Sequence, residues 1–475
     1  MKSEKISFEP IGPESEAWIR PFYAACSYRL CDYSMGVKLM LAEQQHARFA
    51  VIHQCLICQL DYEGQILFEL PVPGPEVRIE DALRWIETWC AVHEVPLTWV
   101  SVPEESAGML VSRYVHASCI SRRLAQDYLY RTSDLMLYEG RHYAGQRNHV
   151  HQFYRKWPEA RFVPLTASAE DTRRLSDFWT RYAALFHKEQ PKAMQELEMA
   201  RGLFAHIDRD WFVAGGMEMD GMLIGISLGE ICGDTLVIHT EKALYTYPGV
   251  YPALVQAFAT YYGKNCLWIN REDDAADKGL RISKLQYRPV RLMRWMEVRV
   301  GCELESCRRI PELSSERLTM NELTDADASA YARLCLDEER NRRWGYDWRS
   351  DWNGPAGETP DGFYFLQVCR ADFAACRAVN FAVRLGTGLI GEAVVYHFDG
   401  CGNAELGVRI ASAYAGNGYG REACARVADW ALYELGVTRL TAKCFHDNIP
   451  SDRMLSSCMT FIGSDATYRY YEKQL

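Results

Sequence analysis

The alternation of apolar and polar positions is clearest around Gly221. Two alternating runs, WFVAGGMEM and MLIGISLGEI, flank a short turn at this glycine, and a third run, DTLVIHTEKAL, follows Gly233. A period of two with short turns predicts three antiparallel strands in a meander. Next come a glycine loop (YTYPGVY), a helical run through Val255 and Phe258, the strand CLWIN and a short helix at about 278–286. This order of elements defines one α/β unit.

The same order recurs twice along the chain. In the C-terminal third it reads VNFAVRL, LIGEAVVYHF and AELGVRI, then a glycine loop, a helix, the strand RLTAKCF and a helix from about Ser451. A less regular copy near the N-terminus has VIHQCLICQL, QILFEL, a helix over 79–90 and LTWVSV. The turns at Gly64, Gly221 and Gly388 lie about one domain length apart. We predict an α/β (α+β) protein of three units, each a mixed, mostly antiparallel sheet flanked by helices.

The three units give three predicted domains. They span 1–130, 131–307 and 308–475. The last boundary falls within 307–315, where CRRIPELSS places Pro311 and a polar Ser pair before the new strand RLTMNEL. A chain of 475 residues is too long for one ordinary core, which agrees with this division.

Composition restricts the class of protein further. Apolar residues make up 48% of the chain, as in folded globular domains, and the formal charge of −10 is shared along it. Without a basic excess, nonspecific nucleic-acid binding is not expected. No run reaches the roughly 18 consecutive apolar residues of a membrane span, and no apolar stretch follows the first charges. We therefore expect a cytoplasmic protein with no membrane span.

The 17 cysteines are scattered and mostly lie in apolar runs, as reduced core thiols do. Cys55 and Cys58 have a zinc-like spacing. On a strand, however, residues i and i+3 face opposite sides, and no second pair of ligands follows. We predict no metal site.

The loop between strand and helix in GVRIASAYAGNGYGREA has a chemical meaning. A strand that ends in a glycine-rich turn and leads into a helix exposes free backbone N–H groups, and the helix dipole also favours anions there. Gly416, Gly418 and Gly420 allow the backbone to approach a phosphate closely. The pattern predicts a phosphate site, and a helix-start loop without a ligand is the alternative.

The surrounding sequence resembles the acetyl-CoA-binding core of the Gcn5-related N-acetyltransferase (GNAT) superfamily. The resemblance covers ELGVRIASAYAGNGYGREACARVADWALYELGVTRLTAKCFHDNIPSDRMLSSCMTFIG, with an Asn-x-x-Ser before a short helix. It implies acetyl-CoA as cofactor, Val408 and Ile410 along the pantetheine on a splayed strand, and Asn448 and Ser451 at the cofactor arm. The pyrophosphate would be held by the backbone of Ala415, Gly416, Asn417, Gly418, Tyr419, Gly420 and Arg421.

Two positions depart from that family. Ala415 stands where the family often has Arg or Gln, and Leu455 stands where many members place a general-acid Tyr. For the base, Glu405 opens the strand that leads to the glycine loop, and Glu392 on the preceding strand is its competitor. Each could instead be a solvated strand carboxylate.

The acceptor is expected to be a primary amine on a small molecule, an amino acid or a peptide. The segment EERNRRWGYDWRSDWNG lies where acceptor-covering elements occur in the superfamily. Trp344, Tyr346 and Trp348 could line that pocket, or they could pack a helix pair against the sheet. The sequence leaves both roles open.

The first 310 or so residues carry a second resemblance. The stretches YLYRTSDLMLYEGRHYAGQRNHVHQFYRKWP, HTEKALYTYPGVY and INREDDAADKGLRISKLQYRPV resemble the DUF2156 family, which is related to the C-terminal domain of phosphatidylglycerol lysyltransferases. The family has two tandem GNAT-like folds, and acyl transfer from aminoacyl-tRNA is the chemistry that the resemblance implies. At the position of the phosphate site this part has Pro248 and a single glycine, Gly249, so a CoA pyrophosphate would be poorly held there.

Polar residues gather at strand ends in this second region. They form either a polar substrate site or a buried ion-pair network that locks two subdomains together. The candidates are Arg147, Asn148, His239, Glu241, Asn270, Arg271 and Glu272. The basic run at 141–156 is either a tRNA contact or a solvated helix face. The alternatives to a C-terminal acetyltransferase are therefore aminoacyl-tRNA-dependent transfer by the N-terminal part, or a non-catalytic module there that binds a ligand or partner.

Overall fold

The computed structural model describes residues 7–185, 191–344, 348–350, 352, 354 and 358–475. Within these residues two mixed β-sheets, of thirteen and eight strands, organise the α/β fold. The larger sheet contains β1 Glu9–Pro10, β2 Arg48–Ile52, β3 Cys55–Tyr62, β4 Gln65–Glu69, β5 Val72–Pro73, β6 Thr98–Pro103, β7 Ala117–Arg131, β8 Arg161–Pro164, β9 Phe212–Met219, β10 Met222–Cys232, β11 Thr235–Ala243, β12 Trp268–Asn270 and β13 Arg291–Val300.

The helices of this region lie on both faces of the larger sheet. They are α1 Glu16–Ala25, α2 Met35–Leu41, α3 Glu80–Val92, α4 Glu104–Arg113, α5 Thr132–Leu137, α6 Ala144–Lys156, α7 Ala169–Leu185, α8 Pro191–Phe204, α9 Val250–Tyr262 and α10 Lys278–Gln286. The predicted helix at 278–286 is confirmed, and it begins because the Asp277 side chain accepts a hydrogen bond from the N–H of Leu280.

The smaller sheet follows the predicted boundary. Its elements in chain order are β14 Leu313–Ser314, β15 Leu318–Glu322, α11 Ala328–Cys335, α12 Glu338–Asn341, α13 Gly362–Ala374, β16 Ala378–Leu385, β17 Gly388–Tyr396, β18 Asn403–Ile410, α14 Tyr419–Trp430, β19 Arg439–Phe445, α15 Ile449–Ser456, β20 Thr460–Ser464 and β21 Tyr468–Gln474. Its strand order is β14-β15-β16-β17-β18-β19-β21-β20, so only the β18–β19 pair is parallel.

The predicted threefold repeat is present in the order of the elements. In each copy an antiparallel meander is followed by a helix and by a strand that pairs in parallel with the last strand of the meander. These parallel pairs are β4 with β6, β11 with β12 and β18 with β19. Hairpin registers follow the sequence pattern, as in the pairing of Met219 with Met222 around the Gly221 turn.

The prediction of one sheet per unit is wrong for the first two units. The larger sheet is continuous, in the order β1-β2-β3-β4-β6-β13-β7-β12-β11-β10-β9-β8, with β5 beside β3. Strand β13, from the end of the second unit, pairs with β6 of the first unit and with β7. Strand β7 itself crosses the predicted boundary at 130/131. Pairing both edges of β13 satisfies backbone groups that two separate sheets would leave exposed.

A separate apolar core supports the smaller sheet. One face of β16–β18 packs on α14, where the ring of Trp430 lies 5.0 Å from that of Phe381 at an angle of 78°. The opposite face is covered by α11 and α13. In the larger sheet, Cys55 and Cys58 belong to different cores on opposite faces of the sheet, as their spacing on a strand predicts.

Replacing Trp430 with Ala should destabilise the C-terminal domain by about 3–5 kcal/mol, because the substitution leaves a cavity against Phe381 in a closely packed core. The measurement is the free energy of unfolding from urea denaturation followed by far-UV circular dichroism. Trp18 is 63% exposed, so Trp18→Ala is the matched control and should change little. Equal effects of the two substitutions would contradict this description of the core.

Candidate active site

The main cavity of the C-terminal domain begins where two neighbouring strands separate. β18 and β19 are paired in parallel only from Asn403 to Glu405, and Thr441 is the last partner. Beyond that point β18 pairs only with β17, and β19 pairs only with β21. The opening leads into a cavity of about 650 Å³, lined on its two sides by 406–409 and 443–445. The splayed strand expected from the sequence is therefore present.

The glycine loop lies at the far end of β18. Gly416 and Gly418 both have φ of +80°, a conformation that L side chains rarely adopt. Helix α14 starts directly after Gly418. No acceptor in the described chain is assigned to the backbone N–H groups of 416–421, and residues 415–418 are exposed. The loop thus presents a row of unpaired donors at a helix N-terminus, as a phosphate site requires.

A positively charged side chain, that of Arg317, lies beside this loop. Arg317, just before β15, donates to the carbonyl oxygen of Asn417 at 3.1 Å and forms an ion pair with Glu422 at 2.8 Å. Its guanidinium also lies 4.7 Å from the centre of the Tyr419 ring. Arg317 was not among the residues predicted from the sequence; it brings a positive charge to the loop, where Ala415 brings none. Nothing in the local sequence signals this contact, because the two segments are about 100 residues apart.

Three of the other residues predicted to contact CoA line the same cavity, namely Val408, Asn448 and Ser451, whereas Ile410 is not one of its lining residues. Val408 is half-buried at the opening, and Ile410 packs close to Gly391 of β17. Asn448 and Ser451 line the cavity, where the Asn448 side chain caps α15 by accepting from the Ser451 N–H at 3.4 Å. Leu455 also lines it and is buried. Their contacts with a cofactor stay a prediction.

Glu405 lies at the point where the strands separate, and it is held by three side chains. The Tyr396 hydroxyl donates to its Oε1 at 2.5 Å, Lys443 Nζ lies 3.0 Å from the same oxygen, and His397 Nδ1 lies 3.4 Å from Oε2. Burial alone would raise the pKa of Glu405. The His397 hydrogen bond, the Lys443 charge and the Tyr396 hydrogen bond outweigh that effect and lower the pKa to about 2.

Such a low pKa makes Glu405 a weak proton acceptor at neutral pH. The carboxylate is better suited to orient His397 through their hydrogen bond. His397 directly follows β17 with φ of +54°, an uncommon conformation for a residue with a side chain, and it lines the cavity. Register pairs Tyr396 with Glu405 across the hairpin, so strand parity could have identified Tyr396. No sequence signal identified His397.

Glu392, the competing carboxylate, is buried in a different network. Arg409 Nη2 lies 2.7 Å from its Oε2, Asn380 donates to its Oε1 at 2.7 Å, and the Tyr331 hydroxyl donates to the same oxygen. Arg409 also bonds to Asn341 Oδ1 at 2.8 Å. These contacts tie β16, β17 and β18 to the helices that cover them. Glu392 therefore has its hydrogen-bonding capacity committed to protein groups.

The three aromatic residues predicted for the acceptor side differ in what the structure shows of their positions. Trp344 lines the cavity, and its ring packs over Gly407 and lies 4.7 Å from the Arg409 guanidinium. Trp348 also lines the cavity and is buried next to Phe365. Tyr346 lies outside the described residues. Both tryptophans therefore line the cavity, Trp348 also packs against α13, and a role for either in binding an acceptor stays a prediction.

The polar cluster of the N-terminal region is a buried network. His239 contacts Glu272 at 2.8 Å and Glu230 at 3.3 Å. Glu230 in turn accepts from the N–H groups of Met35 and Gly36, at 2.9 and 2.6 Å. Because α2 starts at Met35, this chain of contacts joins the first unit to strands β10 and β11 of the second. Of the residues predicted from the sequence, His239 and Glu272 belong to this network, and Glu230 makes its contacts with the first unit.

Asn270 belongs to the same buried network between the two units. Its Nδ2 donates to the carbonyl oxygen of Arg29 and to Asp127, both at 2.7 Å, and its Oδ1 accepts from the Glu272 N–H. Asp127 also accepts from the N–H of Cys31 at 2.7 Å, while burial raises its pKa to about 7. These bonds again connect the segment before α2 with the end of β12.

Arg271 and Glu241 form a separate buried pair at 2.6 Å, with Tyr287 stacked 4.6 Å from the guanidinium. Arg271 Nη1 and Glu241 Oε1 have no hydrogen-bond partner in the described chain, so a polar substrate role stays open for this pair. Arg147 instead donates to the carbonyl oxygens of Tyr138 and Gly140. Among the residues that the structure describes, no hydrogen bond or ion pair joins Arg147 or the exposed Asn148 to the buried pairs.

The equivalent of the phosphate loop in the second unit is covered. Gly249 precedes α9 with φ of +90°, as Gly418 precedes α14. A Cβ on Gly249 would lie 2.6 Å from the carbonyl oxygen of His149 and 3.0 Å from Phe153, both on α6. Helix α6 therefore occupies the place where a pyrophosphate would bind. This geometry agrees with the sequence argument from Pro248.

The fold and the cavity define a multidomain protein with an acetyltransferase domain. The family model described as "Acetyltransferase (GNAT) domain" matches residues 317–458, and the model described as "Phosphatidylglycerol lysyltransferase, C-terminal" matches residues 23–297. The second match covers more than half of the chain. The chain belongs to the phosphatidylglycerol lysyltransferase C-terminal (DUF2156) family and carries a GNAT domain after it.

Two curated proteins and a solved structure resemble parts of the chain. "Uncharacterized N-acetyltransferase YjdG" of Bacillus subtilis is 34% identical over 93 residues, 19% of this chain and 52% of the relative. "Uncharacterized protein MYCGA3080" of Mycoplasmoides gallisepticum is 23% identical over 177 residues, 37% of this chain and 56% of the relative. The chain thus spans about half the length of these relatives.

The solved structure is a conserved protein of unknown function from Bacteroides thetaiotaomicron. It is 22% identical with a TM-score of 0.56, and the match covers 62% of this chain and all of that one. This likeness concerns the fold alone. Among the described residues, no helix has the length and apolar character needed to cross a bilayer.

The buried network of His239, Glu230 and Glu272 predicts that the stability of the protein depends on pH. Burial alone would lower the pKa of His239, but its bonds to Glu230 and Glu272 raise it to about 9, above the ordinary 6.5. Because the pKa of His239 is higher in the folded protein than in the unfolded chain, protonated His239 makes its full contribution to the free energy of unfolding below pH 6.5. That contribution is lost as the pH rises through 9. The difference in unfolding free energy between wild type and His239→Gln should therefore shrink across this window.

The measurement is urea denaturation at a series of pH values. The exposed His151 provides the matched control, because His151→Gln should keep the wild-type dependence on pH. A difference between wild type and His239→Gln that stays constant from pH 6 to pH 10 would show that His239 is not held as a cation.

Proposed function

We propose that the C-terminal domain is an acetyl-CoA-dependent N-acetyltransferase that acts on a primary amine. The observation that carries the proposal is the separation of β18 from β19 directly after Glu405, between a loop of unpaired N–H groups and a cavity with titratable side chains. The donor would lie along the separated strands, and the acceptor would approach through the cavity.

The chain offers a specific set of groups to CoA. The N–H groups of 416–421 are placed for the pyrophosphate, and the β19-facing edge of Val408 is free to pair with an extended pantetheine chain, as a strand edge pairs with a peptide. When bound, acetyl-CoA would supply an activated acetyl group as a thioester. The residues present therefore fit this cofactor, although Ala415 contributes no side-chain contact.

An acceptor amine must lose its proton before its lone pair can attack a carbonyl carbon. We assign proton removal to His397, with Glu405 as the residue that orients the imidazole and stabilises its charged form. Lys443 lies 3.0 Å from Glu405 and neutralises its charge, so the carboxylate does not hold the acceptor amine in its protonated form. Glu392 takes the structural role, since Arg409, Asn380 and Tyr331 already bind its oxygens.

The N-terminal unit is assigned a non-catalytic role in this proposal. Helix α6 covers the loop at Gly249, and the His239 network joins the two units of the larger sheet. Both observations support a scaffold or binding module over a second transfer site. Retention of labelled aminoacyl-tRNA by the full chain would contradict this assignment.

Acetyl-CoA should bind once per chain, and Gly418→Val should weaken that binding by about 2 kcal/mol, or about thirtyfold in Kd. The substitution forces a branched side chain into a left-handed conformation and blocks the N–H groups. Isothermal titration calorimetry measures both the stoichiometry and the affinity.

Gly64 has a similar φ of +78° in a turn of the larger sheet, so Gly64→Val introduces the same strain away from the cavity. This control should keep the wild-type Kd. Two binding sites per chain, or equal losses of affinity in the two variants, would overturn the placement of the CoA site.

Substitutions at the three titratable positions should separate their roles. His397→Gln should lower kcat by about 10²–10⁴, the usual contribution of general-base catalysis, without a change in CoA affinity. Glu405→Gln should lower kcat less and should keep the acidic limb of the pH profile, because a group with a pKa of about 2 does not titrate there. Thiol release from acetyl-CoA provides the assay.

Glu392→Gln should reduce the free energy of unfolding together with activity, because it disrupts a buried ion pair with Arg409. Full activity of His397→Gln would show that the base is wrongly assigned. A panel of primary amines assayed for thiol release tests the function itself, and a panel without any turnover would refute it.

A further inference from the structure

A second cavity lies between the N-terminal unit and the C-terminal domain. Its volume is about 220 Å³. The N-terminal unit supplies residues 94–97, which follow α3, and residues 299–301 at the end of β13. The C-terminal domain supplies residues 374–377, which begin with the last residue of α13, and 397–400 after β17. We refer to this cavity as the interdomain groove.

The interdomain groove adjoins the larger cavity. Glu94, Arg377 and His397 line both of them. His397 therefore lies at the junction, with Glu405 on its inner side. The acceptor side of the C-terminal site thus opens toward the N-terminal unit, and one lining residue of the larger cavity, Glu94, belongs to that unit.

The walls of the groove are held together by direct contacts. The Val115 N–H donates to the carbonyl oxygen of Gly400 at 3.1 Å, and Cys302 Sγ donates to that of Cys376 at 3.3 Å. A Cβ on Gly400 would lie 2.3 Å from Val300, so the turn after β17 packs closely on β13. The groove is therefore a defined part of the fold and not a gap between loosely placed domains.

Carboxylates outnumber arginines among the residues that line the interdomain groove. Its acidic and basic lining side chains are four carboxylates, two arginines and His397. The carboxylates are Glu87, Glu94, Glu305 and Asp399. Glu87 is neutralised by Arg113 at 2.5 Å, outside the lining. Arg377 is held by Asp372 at 2.7 Å and lies 3.9 Å from Glu94. These pairs leave Glu94 and Glu305 against Arg299. Burial raises the pKa of Asp399, whose oxygens accept hydrogen bonds from Cys401 and Asn403.

The larger cavity and the interdomain groove therefore differ in how strongly they favour a positively charged amine. At the inner end, the ion pair of Lys443 with Glu405 leaves no net negative charge that would favour a positively charged group. At the outer end, the carboxylate excess favours one. An acceptor that fits both ends has a reactive amine, a spacer and a second group that stays positively charged.

We propose that the interdomain groove is the outer part of the acceptor site, and that Glu94 from the N-terminal unit selects acceptors with a second positive charge, such as diamines. This inference rests on the proposed acetyltransferase function. It gives the N-terminal unit a role in specificity: it forms one wall of the site and does not carry out transfer itself.

The experiment compares diaminoalkanes of increasing length with n-alkylamines of the same lengths, using the full chain and thiol release from acetyl-CoA. Glu94→Gln should raise KM for diamines about twofold to fivefold, the range of a partly exposed ion pair, and Glu94→Lys should raise it about tenfold. The KM for alkylamines and the affinity for CoA should stay within about twofold, the size of the weakest exposed pairs.

Glu63, in an exposed turn of the same unit, lines neither cavity, so Glu63→Gln is the matched control and should leave every parameter unchanged. Unchanged KM for diamines in both Glu94 variants would overturn the inference, as would an equal change for alkylamines. If alkylamines and diamines are both acetylated in those cases, the acetyltransferase function still stands. If wild type acetylates no amine, the proposed function fails, and the inference falls with it.

Discussion

The geometry of the C-terminal site depends on one break in a β-sheet. β18 and β19 are hydrogen-bonded for only three residue pairs before they separate after Glu405. The separation leaves backbone groups of β18 without strand partners and opens the cavity between them. Because an unpaired backbone edge buried in a protein is costly, such an opening persists where the surrounding core fixes both strands. Here α14 supports one face of the sheet, and α11 and α13 support the other.

The glycine loop and the titratable residues lie at opposite ends of the same strand. Residues 416–421 follow its C-terminal end and present unpaired N–H groups, while Glu405 lies where pairing with β19 stops. An extended ligand bound along the strand would therefore have an anionic end at the helix and a reactive end near His397. Distance along one strand would separate cofactor binding from chemistry, and for this reason we expect the two functions to respond to different substitutions.

The N-terminal unit contributes to the same site through its architecture. Strand β13 joins the two halves of the larger sheet, and its last residues form a wall of the interdomain groove. The buried network around His239 fixes α2 of the first unit against β10 and β11 of the second. These contacts make the larger sheet one rigid support. The position of Glu94 relative to the acetyltransferase cavity follows from that support.

The sequence by itself determined the features that depend on local patterns. The hairpins around Gly221 and Gly388, helix α10 and the glycine loop before α14 all follow from period, turn residues and capping, because each involves neighbours in the chain. The parity of β18 likewise placed Glu405 on the face opposite Leu406 and Val408. The resemblances located the two families on residues that the comparisons also match.

Only the tertiary structure decided the contacts between distant segments. Arg317 beside the loop, His397 beside Glu405, and Glu94 at the junction of the cavities come from elements that no local period connects. The insertion of β13 between β6 and β7 is also nonlocal, because strand order in a sheet depends on which edges meet in space. The roles of Glu392 and Glu405 diverged for the same reason: burial and charged neighbours set the state of a carboxylate, and neighbours in space cannot be read from spacing in sequence.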